Sequence, residues 1–360
     1  MGLPGIAVRS GTRILDNRVR IRKENGPLEG GPLSNGTRPG SAGGADAPGT
    51  HMRCAYHPDY HVPLPPSHPF PMAKYPLLFE RLRAMGLLTD RQLLEPVEAA
   101  LEDLRLVHDD RYLGQLADGS LDAAAVRKIG VPWSPALWRR SRLAAQGTLM
   151  AARAALEDGL AANLAGGTHH AFPGHGEGFC VLNDVAVAIR VLQRDGRLQR
   201  ALVIDLDVHQ GNGTAAIFEG NADVFTFSMH GERNYPARKM RSTLDVGLAD
   251  GMGDDEYLAL LRGHLDGIFA GFVPDIVFYL AGVDPARGDR YGRLALSDEG
   301  LRQREHCVLE ACRSRGLPVV ITIAGGYAPT PGRTAELHSI VFEEAVALRP
   351  LQRPPACAAS

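Results

Sequence analysis

An α/β fold on a mainly parallel sheet, in one domain from about residue 52 to 347, is what the sequence predicts, and two patterns predict it. Short, nearly continuous apolar runs rich in β-branched residues recur at Ala201-Leu202-Val203-Ile204, Val224-Phe225-Thr226-Phe227, Asp275-Ile276-Val277-Phe278-Tyr279-Leu280 and Val319-Val320-Ile321-Thr322-Ile323. They alternate with segments such as Leu137 to Glu157, whose apolar residues repeat at helical spacing. Strands that are apolar on both sides belong in a sheet covered on both faces, and strand–helix alternation makes that sheet parallel.

The elements follow in chain order. Residues 1 to 50 hold eleven Gly and five Pro, little apolar periodicity and a basic cluster from Arg18 to Lys23. Residues 1–51 are therefore expected to form a disordered tail. Met52 opens a stretch of different texture, which makes it a candidate initiator and the preceding residues a misassigned start. Past the helical segment 137–157 come Gly166-Gly167-Thr168-His169-His170 and Gly176-Glu177-Gly178-Phe179-Cys180, a histidine pair on a flexible loop. Asn183-Asp184 reads as a cap for a helix from Val185 to Leu192. Each of the four strands then runs into polar or glycine-rich residues: Asp205-Leu206-Asp207-Val208-His209, Ser228-Met229-His230, Ala281-Gly282-Val283-Asp284-Pro285 and Ala324-Gly325-Gly326-Tyr327. Open parallel sheets place their ligands at that end. Two prolines in Ala328-Pro329-Thr330-Pro331 stiffen the loop after Tyr327, and residues 348–360 read as a loose C-terminal tail.

Composition narrows the function. With 360 residues and 44% hydrophobic content, the chain can bury one large core or two modest ones. No apolar run approaches the ~20 residues that cross a bilayer, and no signal peptide is recognisable, so a cytoplasmic protein without membrane contact is expected. A formal net charge of −2 offers no general attraction to nucleic acid. The five cysteines are scattered without a CxxC pair, so a metal site would have to use histidine and carboxylate. Oligomeric state has no signature here.

Side chains alternate faces along a strand, so Asp205, Asp207 and His209 would share a side if the strand continued through them. Carboxylates buried side by side need a cation or strong hydrogen bonds to offset their repulsion. An aspartate capping the helix at Gly213 to Phe218 is the simpler reading of a lone Asp-x-Asp. A further aspartate after another strand and the histidine pair favour a metal.

At these motifs the sequence resembles the histone deacetylase superfamily, most nearly its bacterial members grouped with class IV. The likeness spans nearly all of residues 52 to 345. It includes His57-Pro58, Val62-Pro63-Leu64-Pro65, His68-Pro69-Phe70-Pro71-Met72 and Val107-His108, and it rests on GGTHH, GEGFC, ND, DLDVHQGNG, AGVDP and AGGY in that order. The resemblance implies the arginase/deacetylase fold: a three-layer α/β/α domain with an eight-stranded, mainly parallel sheet. It implies Asp207, His209 and Asp284 as ligands of a catalytic divalent ion, usually Zn2+, with Fe2+, cobalt or manganese as alternatives in the cell. Three protein ligands leave a position open, as a catalytic site requires. The implied reaction is metal-dependent hydrolysis of an acyl-amide, with an acylated lysine or a related acylated amine as the partner.

By the same resemblance His169 and His170 do the proton work, with His170 as general base and later acid and His169 as its electrostatic partner. Asp205 orients His169 without touching the metal. Tyr327 donates to the developing oxyanion. Gly178 and Phe179 wall the channel for the acyl-lysine side chain, with Tyr235 opposite. The backbone oxygens of Asp205, Asp207 and His209, with Ser228 and Met229, resemble a monovalent cation site, usually K+; a plain strand-end hydroxyl is an equally good reading of Ser228. Asn212 stands where class I enzymes carry an acidic residue, so His170 lacks a negative neighbour and its pKa is expected to be lower. Glu177, Glu232, Arg233, Arg238 and Arg290 are candidate rim residues.

Three rivals remain. An arginase-like binuclear site would place a second aspartate two residues before Asp284, where this chain has Gly282. A deacetylase of small molecules such as acetylpolyamines shares the same chemistry. A catalytically silent acyl-lysine-binding module would keep the pocket without turnover.

Overall fold

The structure, a computed structural model, describes residues 52–348. The expected tails at 1–51 and 348–360 lie outside the described residues, apart from Leu348. Among the described residues the strands are β1 (Arg53–Ala55), β2 (Leu93–Leu94), β3 (Leu160–Asn163), β4 (Ala201–Asp205), β5 (Val224–Gly231), β6 (Leu244–Leu248), β7 (Ile276–Leu280) and β8 (Val319–Thr322). The helices are α1 (Lys74–Ala84), α2 (Leu101–Leu104), α3 (Asp110–Asp118), α4 (Ala123–Ile129), α5 (Pro135–Asp158), α6 (Asp184–Arg194), α7 (Asn212–Phe218), α8 (Asp254–Gly271), α9 (Asp298–Arg313) and α10 (Pro331–Ala347). The strands form one eight-stranded sheet in the order β2-β1-β3-β8-β7-β4-β5-β6, and every pairing is parallel.

Strand pleating divides the core in two. Leu202, Ile204, Val277 and Tyr279 pack into one apolar cluster with Leu78 of α1, Leu261 of α8, Leu301 of α9 and Phe342 of α10. Ala201, Val203, Ile276 and Phe278 face the other way, into a cluster with Leu149 of α5 and Ile189 of α6. Both faces of the central strands are thereby covered, which is why those strands read as continuous apolar runs. Helix ends follow local chemistry. Ser134 accepts from Leu137 N at 3.0 Å and Pro135 opens α5, while Asn183 Oδ1 accepts from Ala186 N at 3.0 Å to start α6.

The connectivity creates a crevice. β4 leads through α7 to β5 on one side, whereas β7, reached later through α8, pairs with the other side of β4. At such a switch point the loops leaving the C-terminal strand ends part and leave room for a ligand. Asp205, the last residue of β4, is in register with Ser228 on one side and Leu280 on the other.

Candidate metal centre and active site

β4 stops at Asp205, so Asp207 and His209 do not extend it as the alternation argument supposed. A turn replaces the strand: Asp207 N donates to Asp205 Oδ1 at 3.2 Å, and His209 N donates to Asp207 Oδ1 at 2.9 Å. That turn brings Asp207 and His209 to Asp284, which follows β7, with one donor atom of each within 4.8 Å of the others and all three residues buried. His209 Nδ1 lies 3.0 Å from Asp207 Oδ1 and 3.1 Å from Asp284 Oδ2. Ligands bound to tetrahedral zinc at about 2.0–2.1 Å stand about 3.3 Å apart, so a small adjustment around an ion completes the geometry.

The remaining carboxylate oxygens are tied down: Asp284 Oδ1 accepts from Val208 N at 2.8 Å, and Asp207 Oδ2 from Gly325 N at 2.7 Å. Glycine is needed at 325, because a Cβ there would fall 2.2 Å from Asp284 Oδ2. Burial, and repulsion from Asp207, push the Asp284 carboxyl up to about 7. The cage is short of positive charge, and its two oxygens and one nitrogen suit a divalent ion. A Cβ at Gly282 would lie 2.6 Å from Asp207 Oδ2 and 3.0 Å from Asp207 Cα. The arginase-like second aspartate has no room there.

The histidine pair sits beside the cage. The His169 and His170 ring centroids are 4.1 Å apart. His169 Nδ1 is 2.6 Å from Asp205 Oδ2, and His170 Nδ1 is 2.6 Å from Asn212 Oδ1. These partners push the two imidazoles apart in basicity. Burial opposes charge on His169, but the carboxylates of Asp205 and Asp207 outweigh it and raise the ring to about 9. Burial and the neighbouring His169 and His209 hold His170 well below its ordinary value, and the neutral Asn212 amide cannot reverse that. The loop carrying the pair is not the flexible segment that its glycines suggested. Asp184 accepts from Gly167 N at 3.0 Å, Thr168 N at 2.8 Å and Thr168 Oγ1 at 2.6 Å, so it fastens this loop while Asn183 alone caps α6.

A cavity of about 290 Å³ leads from the surface to His170 and His209, walled by Gly178, Phe179, Tyr235, Tyr291 and Tyr327. The Phe179 and Tyr327 ring centroids are 5.9 Å apart, and Tyr291 crosses Tyr327 edge-on at 4.9 Å. Tyr291 escaped the sequence reading because no strand or motif points to it. Phe179 and Ala324, with φ of 67° and 47°, are the non-glycine residues with left-handed backbone among those described, and both flank the site. Unusual backbone of this kind concentrates where side chains must be aimed.

Other expectations need correction. Glu177 is not a rim residue: it is 6% exposed and its carboxylate is fully engaged, whereas Glu232, Arg233, Arg238 and Arg290 are exposed. The prolines after Tyr327 belong partly to a helix start. Thr330 Oγ1 accepts from Arg333 N at 3.1 Å and Pro331 is the first residue of α10, a position where its missing N–H costs nothing. Ser228 Oγ lies 2.9 Å from His230 Nδ1, so its hydroxyl already serves a neighbour.

The family model for the histone deacetylase domain matches residues 68–342. The chain belongs to the histone deacetylase family. An uncharacterised protein of Picosynechococcus sp. is 48% identical over 290 residues, covering 81% of this chain and 97% of that protein. Histone deacetylase 2 of Arabidopsis thaliana is 32% identical over 275 residues, covering 74% and 71%. The crystal structure of a histone deacetylase homolog from Aquifex aeolicus superposes with a TM-score of 0.71 at 27% identity over 84% of this chain and 85% of its own. The eight-stranded parallel sheet with helices on both faces is the fold of that family. Membership brings the reaction class, hydrolytic deacetylation of an acetylated substrate, and a family habit of using a metal that the buried Asp-His-Asp cluster can meet. No helix among the described residues is long and apolar enough to cross a membrane.

Proposed function

We propose that this histone deacetylase family member is a zinc-dependent amidohydrolase that removes the acyl group from an N-acyl-lysine side chain or a related acylated amine. The observation that carries the proposal is the convergence of the Asp207-His209-Asp284 cage, the His169-His170 pair and Tyr327 at the inner end of one aromatic channel. At about 290 Å³ that channel is at the small end of ligand sites, which commonly exceed about 300 Å³, and its walls suit a slender alkyl chain ending in an amide.

When bound, the ion polarises the acyl carbonyl and acidifies the attacking water. His170, neutral and buried, takes the water's proton and later delivers it to the departing amine. His169, charged through its contact with Asp205, contributes a fixed positive charge beside the cage. Two titratable groups driven apart by their surroundings are the usual mark of such divided roles. The Tyr327 hydroxyl donates to the developing oxyanion. A K+ ion held by the backbone oxygens of Asp205, Asp207 and His209 with Ser228 and Met229 belongs to the proposal through family likeness. The Ser228 hydroxyl, 2.9 Å from His230 Nδ1, keeps a lone pair for such an ion. The sequence-based expectation of a cytoplasmic enzyme is kept.

The test is a panel of acetyl-lysine peptide, myristoyl-lysine peptide and acetylpolyamine assayed with added Zn2+, alongside elemental analysis. One metal per chain and turnover of at least one member are expected, and the preferred member names the substrate class. Tight binding of acetyl-lysine peptide with no turnover across the panel would overturn the proposal in favour of a silent binding module.

A further inference from the structure

Behind His170 lies a chain of polar groups that leads away from the channel. Asn212 offers Oδ1 to His170 Nδ1 at 2.6 Å and donates Nδ2 to Glu177 Oε1 at 2.5 Å. Tyr235 Oη donates to the same oxygen at 2.8 Å, while Glu177 Oε2 faces Lys128 Nζ at 3.0 Å. The imidazole, the amide and the carboxylate are all more than nine-tenths buried, so each contact has to be made by a matching donor and acceptor. Burial would raise the Glu177 carboxyl, but hydrogen bonds from His175, Asn212, Lys128 and Tyr235 hold it far below its usual range. It is therefore ionised, and an ionised carboxylate only accepts.

That asymmetry propagates. An amide side chain has one face that donates and one that accepts, and its hydrogen-bond network alone decides which way round it sits. Because Glu177 can only accept, Asn212 must turn its NH2 group to Glu177 and its oxygen to His170. Because Asn212 then offers His170 only an acceptor, the neutral imidazole must carry its proton on Nδ1. Its Nε2 keeps the lone pair that a general base needs.

We infer that Glu177 is a positioning residue which, through the amide of Asn212, sets the tautomer of His170. The inference rests on the reading of His170 as the base. It explains how a neutral asparagine serves at this position: the orienting negative charge is present, one residue further out. It also assigns Lys128 a part, since an ammonium on Oε2 can be satisfied only by an acceptor. In Glu177→Gln the amide oxygen should stay with Lys128, whose other acceptor is His175 Nε2 at 2.7 Å, so that the NH2 group falls where Oε1 was. Asn212 would turn over to accept from it, present its own NH2 to His170, and shift the imidazole to the tautomer protonated on Nε2.

The test compares wild type, Glu177→Gln, Asn212→Asp, the double variant and Tyr235→Phe, each loaded with Zn2+. Two readouts are used: nitrogen NMR of histidine-labelled protein, and steady-state kinetics on the best substrate. Wild-type His170 should show protonated Nδ1 and bare Nε2. Glu177→Gln should move it to the Nε2-protonated form and lower kcat by about tenfold or more, up to the 10²–10⁴ that a general base typically contributes. Tyr235→Phe removes the other bond to Oε1 and should leave the tautomer unchanged. Asn212→Asp alone sets two carboxylates against each other. Adding Glu177→Gln supplies a donor to the carboxylate introduced at position 212, so the double variant should exceed both single variants in kcat and recover the Nδ1-protonated ring. A wild-type tautomer in Glu177→Gln, or a double variant no better than Asn212→Asp, would overturn the inference while leaving deacylation intact. Absence of turnover with the expected tautomer shift would instead overturn the reading of the reaction.

Discussion

Tyr327→Phe separates chemistry from architecture at this site. The Tyr327 ring is held by Phe70, Phe179 and Tyr291 at centroid distances of 6.1, 5.9 and 4.9 Å, and its backbone N–H donates to Asp289 Oδ2 at 2.6 Å. None of these contacts uses the hydroxyl, and among the described residues no protein group hydrogen-bonds to it. Burial beside Asp284 and Asp207 drives the phenol well above its ordinary pKa, so the donor proton stays in place at any working pH. Phenylalanine should therefore keep the fold, the metal content and the channel. Folding stability should change by less than about 1 kcal/mol, since no native hydrogen bond is lost. Removing one oxyanion donor typically costs about 2.7–4 kcal/mol of transition-state stabilisation, or 10²–10³ in kcat. The assay is steady-state hydrolysis of an acetyl-lysine peptide by the Zn2+-loaded enzyme, with thermal melting as control. A loss confined to kcat, with KM little changed, marks an interaction made only in the transition state. A kcat within threefold of wild type at equal metal content would refute the oxyanion role.

Two further predictions concern what holds the site together. Stripping the divalent ion with a chelator should lower the melting temperature, and restoring Zn2+ should recover it, because a ligand at 100 times its Kd stabilises the native state by about 2.7 kcal/mol; a melting curve indifferent to chelation would count against an ion at Asp207, His209 and Asp284. Arg304 is fully buried, pairs with Glu305 at 2.5 Å, and donates Nη1 to the carbonyls of Leu206 and Gly282 at 3.2 and 2.7 Å. Arg304→Met should cost about 3–5 kcal/mol in urea denaturation by stranding Glu305, and Arg304→Met with Glu305→Leu should cost less.

The central strands were legible because β4, β5, β7 and β8 are apolar on both faces. β3, Leu160-Ala161-Ala162-Asn163, contains no β-branched residue, and β2 spans two residues, so neither carries a strand signature by itself. Their places come from pairing, which sequence periodicity does not express. In the site, Asp207, His209 and Asp284 follow the ends of β4 and β7, but a turn after Asp205 rather than strand alternation gathers them, and Ser228, Met229 and His230 lie within β5 rather than beyond it. Glu177 was misread because a glutamate between glycines looks like surface, and its burial depends on Lys128, Asn212 and Tyr235 coming from three distant segments. Arg304 was missed for a similar reason. An arginine in a helix that also carries Arg302, Glu305 and Glu310 looks solvated until α9 is laid against the sheet.

The buried charges around the cage favour a divalent ion over a single positive charge. Asp205, Asp207 and Asp284 are buried together, and His209 must be neutral to serve as a ligand. The imidazolium of His169 offsets one of the three carboxylates. Lys74, buried with Nζ 2.8 Å from Ala324 O and 5.8 Å from the Tyr327 ring, adds one positive charge that acts on Asp284 and Asp207 more than on Asp289, while Asp289, which also lies under that tyrosine, adds one negative charge, so the count is unchanged. Two negative charges are left, buried at the inner end of a narrow channel. An isolated buried carboxylate costs several kcal/mol, so the folded state would have to take up protons there or bind a cation. Protonating Asp284 meets half of that demand, which is the direction its raised pKa takes. A divalent ion meets all of it and leaves both carboxylates ionised as ligands. The same balance restrains the surroundings: a second carboxylate at position 212 would add an uncompensated charge next to Glu177, whereas asparagine passes on that residue's orienting effect without bringing another charge into the site.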